Sequence, residues 1–115
     1  MVNIVCDGEI TVLEFAGSFS SLDPKILEDV GGVMLGEATH AEPPLLVLDF
    51  AGTSYVGSSF IEIMIRTRKQ VLERGGKLVV CELQPFCCDI LHHAKLDEYF
   101  GRYATRAEAI AAIRR

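Results

Sequence analysis

Hydrophobic positions along this chain switch repeatedly between the short period of a strand and the longer period of a helix. Residues 2–6 and 10–15 are two apolar-rich runs separated by Asp7-Gly8, a pair that tolerates the positive φ angles of a tight type I′ turn. They predict an N-terminal β-hairpin. Residues 17–21 are mostly small and are expected to form a loop. Asp23-Pro24 then supplies a helix N-cap followed by proline at the first helical position. The helix that follows has an apolar face of Ile26, Leu27, Val30, Val33 and Met34. A kink or break is expected at Gly31-Gly32, because each glycine costs a helix about 1 kcal/mol relative to alanine. Residues 36–44 hold polar and helix-breaking residues, with two prolines that force extended backbone, and predict a loop.

Residues 45–48 are continuously apolar, the pattern of a central strand covered on both faces. A small-residue loop carries this strand into a helix headed by Ser58 and Ser59. That helix places Ile61, Met64, Ile65, Val71 and Leu72 on one face and Arg66, Lys69, Gln70 and Glu73 on the other. Ser59 and Glu62 have the spacing of a capping box, and Arg74-Gly75-Gly76 ends the helix. Residues 77–83 predict the next strand, and Gln84-Pro85 leads into a helix carrying Phe86, Ile90, Leu91 and Ala94. Residues 101–104 predict a last short strand, and Thr105 with Glu108 makes a capping box for a terminal helix through Ile110 and Ile113. A hairpin followed by parallel-type crossovers is an α/β fold: one domain over residues 1–115, with a mixed sheet of four to five strands and about four helices.

Composition narrows the class. With 115 residues, 50% of them hydrophobic and 23% charged, the chain suits one soluble globular domain. Its net charge is -5 and its basic residues are scattered rather than gathered among stacking aromatics, which argues against direct nucleic-acid binding. No stretch approaches the roughly 20 consecutive apolar residues of a membrane span, and the N-terminus lacks a basic region followed by an apolar one. A cytosolic protein without membrane contact is expected. Of the four cysteines, Cys6 and Cys81 lie in strand-like runs and Cys87 and Cys88 are adjacent. Reduced, mostly buried thiols fit best.

Candidate chemistry is sparse. Cys88 and His92 stand four apart on a helix, as do Asp89 and His93. The two pairs fall partly on different faces, and no further Cys or His cluster completes a ligand set. No metal is expected, and His92 and His93 should face solvent. Gly57-Ser58-Ser59-Phe60-Ile61 puts a serine on a strand-to-helix turn but lacks the second glycine of Gly-x-Ser-x-Gly. No Asp/His pair is marked to complete a triad, and no phosphate-cradling glycine loop is present. No catalytic residue and no cofactor are expected.

The order of motifs points further. Asp49 ends an apolar strand, residues 50–57 turn into a helix headed by Ser58 and Ser59, and Arg74-Gly75-Gly76 precedes another apolar strand. This succession resembles the STAS domain of bacterial anti-sigma factor antagonists, and residues 96–100 and 105–111 resemble that family's closing segment. The resemblance implies a regulatory protein without catalytic chemistry. Such an antagonist binds an anti-sigma factor that is also a serine kinase, frees the sigma factor, and is released when its own serine is phosphorylated. By position the phosphoacceptor is Ser58. Gly57 stands where the family has Asp, Phe60 where it has glycine, and Glu62 where it has a small residue. The partner surface is expected to centre on Thr53, Ser54, Gly57, Ser58, Ser59, Glu62 and Arg66, joined by Ser18 and Ser20 of the nearby loop. A phosphate adds about -1.5 to -2 charges and would have to be desolvated against a partner, so modification should break the complex. A second reading is a STAS scaffold or small-ligand sensor that acts through protein contacts without phosphorylation. Gly57 and Phe60 favour it: Phe60 is expected either to form an exposed apolar anchor for a homodimer or to tuck against the sheet.

Overall fold

The computed structural model describes residues 2–19, 23–96 and 98–114. Strands β1 (Val2–Asp7) and β2 (Ile10–Phe19) form an antiparallel hairpin. Its turn needs a residue at φ +62°, which Gly8 adopts without a Cβ to clash. β2 pairs in parallel with β3 (Leu45–Val56), β3 with β4 (Lys77–Cys81), and β4 with β5 (Arg102–Tyr103). In the five-stranded mixed sheet each strand lies beside its sequence neighbour, in the order β1-β2-β3-β4-β5. Helices α1 (Pro24–His40), α2 (Ser58–Glu73), α3 (Pro85–His93) and α4 (Arg106–Ile113) complete the α/β domain.

Alternation of side chains across the strands divides the core in two. Leu13 and Phe15 of β2, Leu46, Leu48 and Phe50 of β3, and Leu78 and Val80 of β4 pack with Met34 of α1 and Met64 and Val71 of α2. Ile10, Val12, Val47 and Cys81 point the other way, where Ala109, Ile110 and Ile113 of α4 cover them. The apolar run of β3 is thus buried on both faces. At the end of α2, Gly75 N–H donates to Leu72 O at 3.0 Å and Gly76 N–H to Val71 O at 2.9 Å, a Schellman closure. A Cβ on Gly76 would lie 2.0 Å from Pro44 O, so only glycine lets the chain enter β4 beside the start of β3.

Several elements differ from the sequence expectation, each through packing. Helix α1 runs unbroken through Gly31-Gly32 and on through residues 36–40, which were expected to be a loop. Gly31 is where α1 meets α2: a Cβ there would sit 3.3 Å from Ile63 Cδ1. Close approach of two helices outweighs the glycine penalty. Asp23 takes the N-cap position without a side-chain capping bond. Residues 17–19 and 51–56 are strand, not loop, since β2 and β3 stay paired from Ala16↔Gly52 to Phe19↔Val56. Two register shifts occur in this stretch, and each bulge puts the apolar alternation out of phase, so the pattern of a strand is lost from the sequence. β4 ends at Cys81 rather than residue 83, with Glu82 at φ +57°.

Single side chains also moved. The N-cap of α2 is Gly57, not Ser59, so the expected capping box does not form there. Gly57 N–H donates to Phe19 O at 2.8 Å, which hands the strand end directly to the helix. Phe60 is fully buried, packed against Phe15, Phe19 and Phe50, and cannot be an exposed anchor. Ile26, Leu72, Phe86 and Ala94 are exposed despite lying on expected apolar faces. Cys6 is exposed because it sits on the edge strand, whereas Cys81 and Cys87 are buried. The capping bond at α4 does form, with Glu108 N–H donating to Thr105 Oγ1 at 3.1 Å.

Candidate partner-binding site

The ends of β2 and β3, the start of α2 and the start of α3 converge on one end of the sheet. Ser58 is the first residue of α2 and is exposed, while Ser59 is half-buried. Glu62 and Arg66 follow Ser58 at successive spacings of four, so all three lie along one helix face, and all are exposed. The helix N-terminus carries partial positive charge that suits an anion at Ser58, and the carboxylate of Glu62 one turn on opposes it. Gly57 is buried beneath.

Beside α2 the paired strand ends bring Ser18 and Ser54 together, with Oγ to Oγ at 3.0 Å, both residues exposed. Thr53 departs from the expectation. Its side chain is buried, and its Oγ1 has no hydrogen-bond partner among the described residues, so it does not offer that hydroxyl to a partner. The bulged strand turns Thr53 inward, where Cys87 Sγ approaches its carbonyl oxygen at 4.0 Å. Ser20 lies outside the described residues.

Helix α3 supplies what sequence reasoning missed. Tyr55 and Phe86 stack with centroids 5.4 Å apart, and both are exposed, Phe86 at 51%. Gln84 Nε2 donates to Ala51 O at 2.6 Å and ties the entry of α3 to β3. Open grooves lie on either side of Phe86. One, about 490 Å³, is bordered by Gly52, Ser54 and Gln84; the other, about 600 Å³, by Gly57, Ser58, Ile90 and His93. Phe86 follows Pro85 in the first turn of α3 and is exposed, whereas Phe60 in the first turn of α2 is buried, so position in the helix carried no signal for this site.

Asp49, the aspartate ending the apolar run, works below this surface. Its Oδ2 accepts from Arg106 Nε at 2.8 Å and its Oδ1 from Ala51 N–H at 2.9 Å. Arg106 also pairs with Glu14, and its backbone N–H donates to Glu82 Oε2 at 2.9 Å. Burial alone would favour a neutral guanidine, but the bond to Asp49 and the charges of Asp49 and Glu14 hold Arg106 above its ordinary value. Burial, reinforced by Asp49 and Glu82, pushes the nearby Cys81 thiol up to about 12. This cluster joins elements together and does not face the grooves. Cys88 is half-buried with Sγ 3.7 Å from Leu83 O, and His92 and His93 are exposed. Among the described residues no group of three or more His, Cys, Asp or Glu is placed to hold a metal ion, and no helix is long and apolar enough to cross a membrane.

A five-stranded sheet whose central strand feeds a serine-headed helix can be compared with known families. The model of the STAS domain matches residues 2–109. The chain belongs to the STAS domain family. No curated protein matches it in sequence. Among solved structures, this STAS domain is similar to an anti-sigma-factor antagonist from Planctomyces limnophilus, at 26% identity and TM-score 0.88 over 99% of this chain and 98% of that one. It is similar to an anti-sigma factor antagonist from Mycobacterium paratuberculosis, at 23% identity and TM-score 0.82 over 100% and 94% of the two chains. The phosphorylated form of the Bacillus cell fate determinant SpoIIAA shares the fold at 14% identity and TM-score 0.72, over 98% and 99%.

Proposed function

We propose that this STAS domain is a cytoplasmic anti-sigma factor antagonist, switched by phosphorylation of Ser58. The observation that carries this reading is the exposed Ser58 at the head of α2, aligned with Glu62 and Arg66 and bordering the groove beside Phe86. Similarity to anti-sigma-factor antagonists supports it. The partner is an anti-sigma factor with serine-kinase activity, which docks over Ser18, Ser54, Gly57, Ser58, Ser59, Glu62 and Arg66. The chain acts by binding, and Ser58 is a substrate of its partner. It needs no cofactor and touches neither nucleic acid nor membrane.

The switch follows from charge. In the free protein a phosphate on Ser58 keeps its water and gains from the helix end, offset in part by Glu62. In the complex the same group, with about -1.5 to -2 charges, must shed its water against the partner surface. Phosphorylation therefore favours the dissociated state.

The test uses the cognate kinase and ATP. Phosphate incorporation should vanish in Ser58→Ala, and incorporation that survives this change would remove Ser58 as the acceptor. Ser58→Glu should weaken binding to the anti-sigma factor by about tenfold, or ~1.4 kcal/mol, in titration calorimetry, and an unchanged affinity would remove the switch. The scaffold reading loses its stated anchor, since Phe60 is buried.

A further inference from the structure

One edge of the sheet is β1, with β2 on its inner side and no described strand on its outer side. An edge strand presents a row of main-chain N–H and C=O groups that match another strand, and proteins normally blunt such edges with charge, proline, a bulge or short length. The first five residues of β1, Val2, Asn3, Ile4, Val5 and Cys6, include no charged residue and no proline, and the register with β2 has no shift. The other edge, β5, is two residues long. Apolar side chains stand out along β1 instead, Ile4 at 48% exposure and Val5 at 37%.

The two faces of β1 are distinguishable. Val2 and Ile4 pair with Phe15 and Leu13, which face α1, so Val2, Ile4 and Cys6 lie on the α1 side. Next to them an open pocket of about 280 Å³ is lined by Val2, Ile26, Val30 and Val33, with Asp29 as its one charged residue. Asp7, at the far end, is engaged by Arg114 at 3.0 Å.

We propose that β1 is a self-association edge, on which two copies of this chain pair antiparallel about a two-fold axis through Ile4. The occupant is a second copy because the strand is complementary to itself. In this register Ile4 meets Ile4, Val2 meets Cys6 and Asn3 meets Val5, which joins the apolar side chains of both copies on the α1 side. Asp7 stays outside the paired residues with its Arg114. A slip of one residue would set Asp7 against Val2 and turn the apolar set of one copy to the opposite face of the other. The contact is isologous, so it closes at two copies. It uses neither Ser58 nor Phe60.

Light scattering and sedimentation on the full chain, up to millimolar concentration, test the proposal. The mass should rise with concentration from 12.6 kDa toward twice that value. Ile4→Lys should remain at the monomer mass with an unchanged circular dichroism spectrum. Register is read by oxidation of Ile4→Cys combined with Cys6→Ser. The two new thiols face each other across the axis, with Cα atoms about 4.5 to 5.5 Å apart, within disulfide reach. In the unaltered chain the two Cys6 residues are offset by four positions, about 14 Å, and should not cross-link. A constant monomer mass, an Ile4→Lys variant that dimerises like the parent, or cross-linking through Cys6 in preference to Ile4→Cys would each overturn the proposal.

Discussion

Arg106 fastens α4 to two strands and to the chain just past a third, through Asp49 on β3, Glu14 on β2 and Glu82 after β4. The Asp49 side chain is only 8% exposed, so removal of its partner leaves a carboxylate where water barely reaches. Arg106→Ala should lower the unfolding free energy by about 2 kcal/mol, measured by urea denaturation. A fully buried pair would cost more, but Arg106 itself is 32% exposed. Thr53 presents the opposite case, since its buried hydroxyl lacks a partner among the described residues. Thr53→Val keeps the shape and removes the polar atom, and should raise stability by about 1 kcal/mol. A lower melting temperature would refute that. The sequence marks Asp49 as the end of an apolar run, which lies within β3 and not at its end, and Arg106 is 57 residues away. Nothing in local spacing records that pairing, nor the inward turn of Thr53.

At the scale of elements, neighbouring glycines separate propensity from packing. Gly32 of α1 is exposed, with nothing within 4 Å of an added Cβ, so Gly32→Ala should stabilise by about 1 kcal/mol. Gly31 faces Ile63 across the α1–α2 contact, and Gly31→Leu should destabilise by about 2 kcal/mol through overpacking. Thermal melts of the two variants should shift in opposite directions. The hairpin, the central strand, the α2 period and the Thr105 cap were legible because each depends on residues within a turn or two of one another. The second halves of β2 and β3 were not, because their bulged pairing is supported across strands while their own sequence is small and polar. The same gap hid much of the candidate site. Residues 51–56 resemble a loop until the neighbouring strand is present, and α3 joins them only in space.

For the whole molecule, the thiols report where the core closes. Cys6 is exposed on the sheet edge, Cys88 is half-buried, and Cys81 and Cys87 are buried. A thiol reagent should modify Cys6 rapidly and reach Cys81 and Cys87 only as the chain unfolds, as read by mass spectrometry of labelled peptides. Burial raises the thiol pKa of Cys87, and burial with Asp49 and Glu82 takes Cys81 from 9.0 to about 12. Between those values the unfolded chain has lost the Cys81 proton that the folded chain keeps. Stability should therefore fall as pH rises above 9.0, and the fall should be shallower in Cys81→Ala, where only the raised Cys87 thiol still contributes. By itself the sequence determined the fold class, the order of strands and helices, and the position of Ser58 at a helix start. Periodicity, turns and helix punctuation are local, and local rules govern them. Only the tertiary structure decided that Phe60 and Thr53 are buried, that Phe86 and Tyr55 form an exposed pair, and that β1 is an open edge. Burial and exposure depend on which surfaces meet, and those surfaces come from residues far apart in the chain.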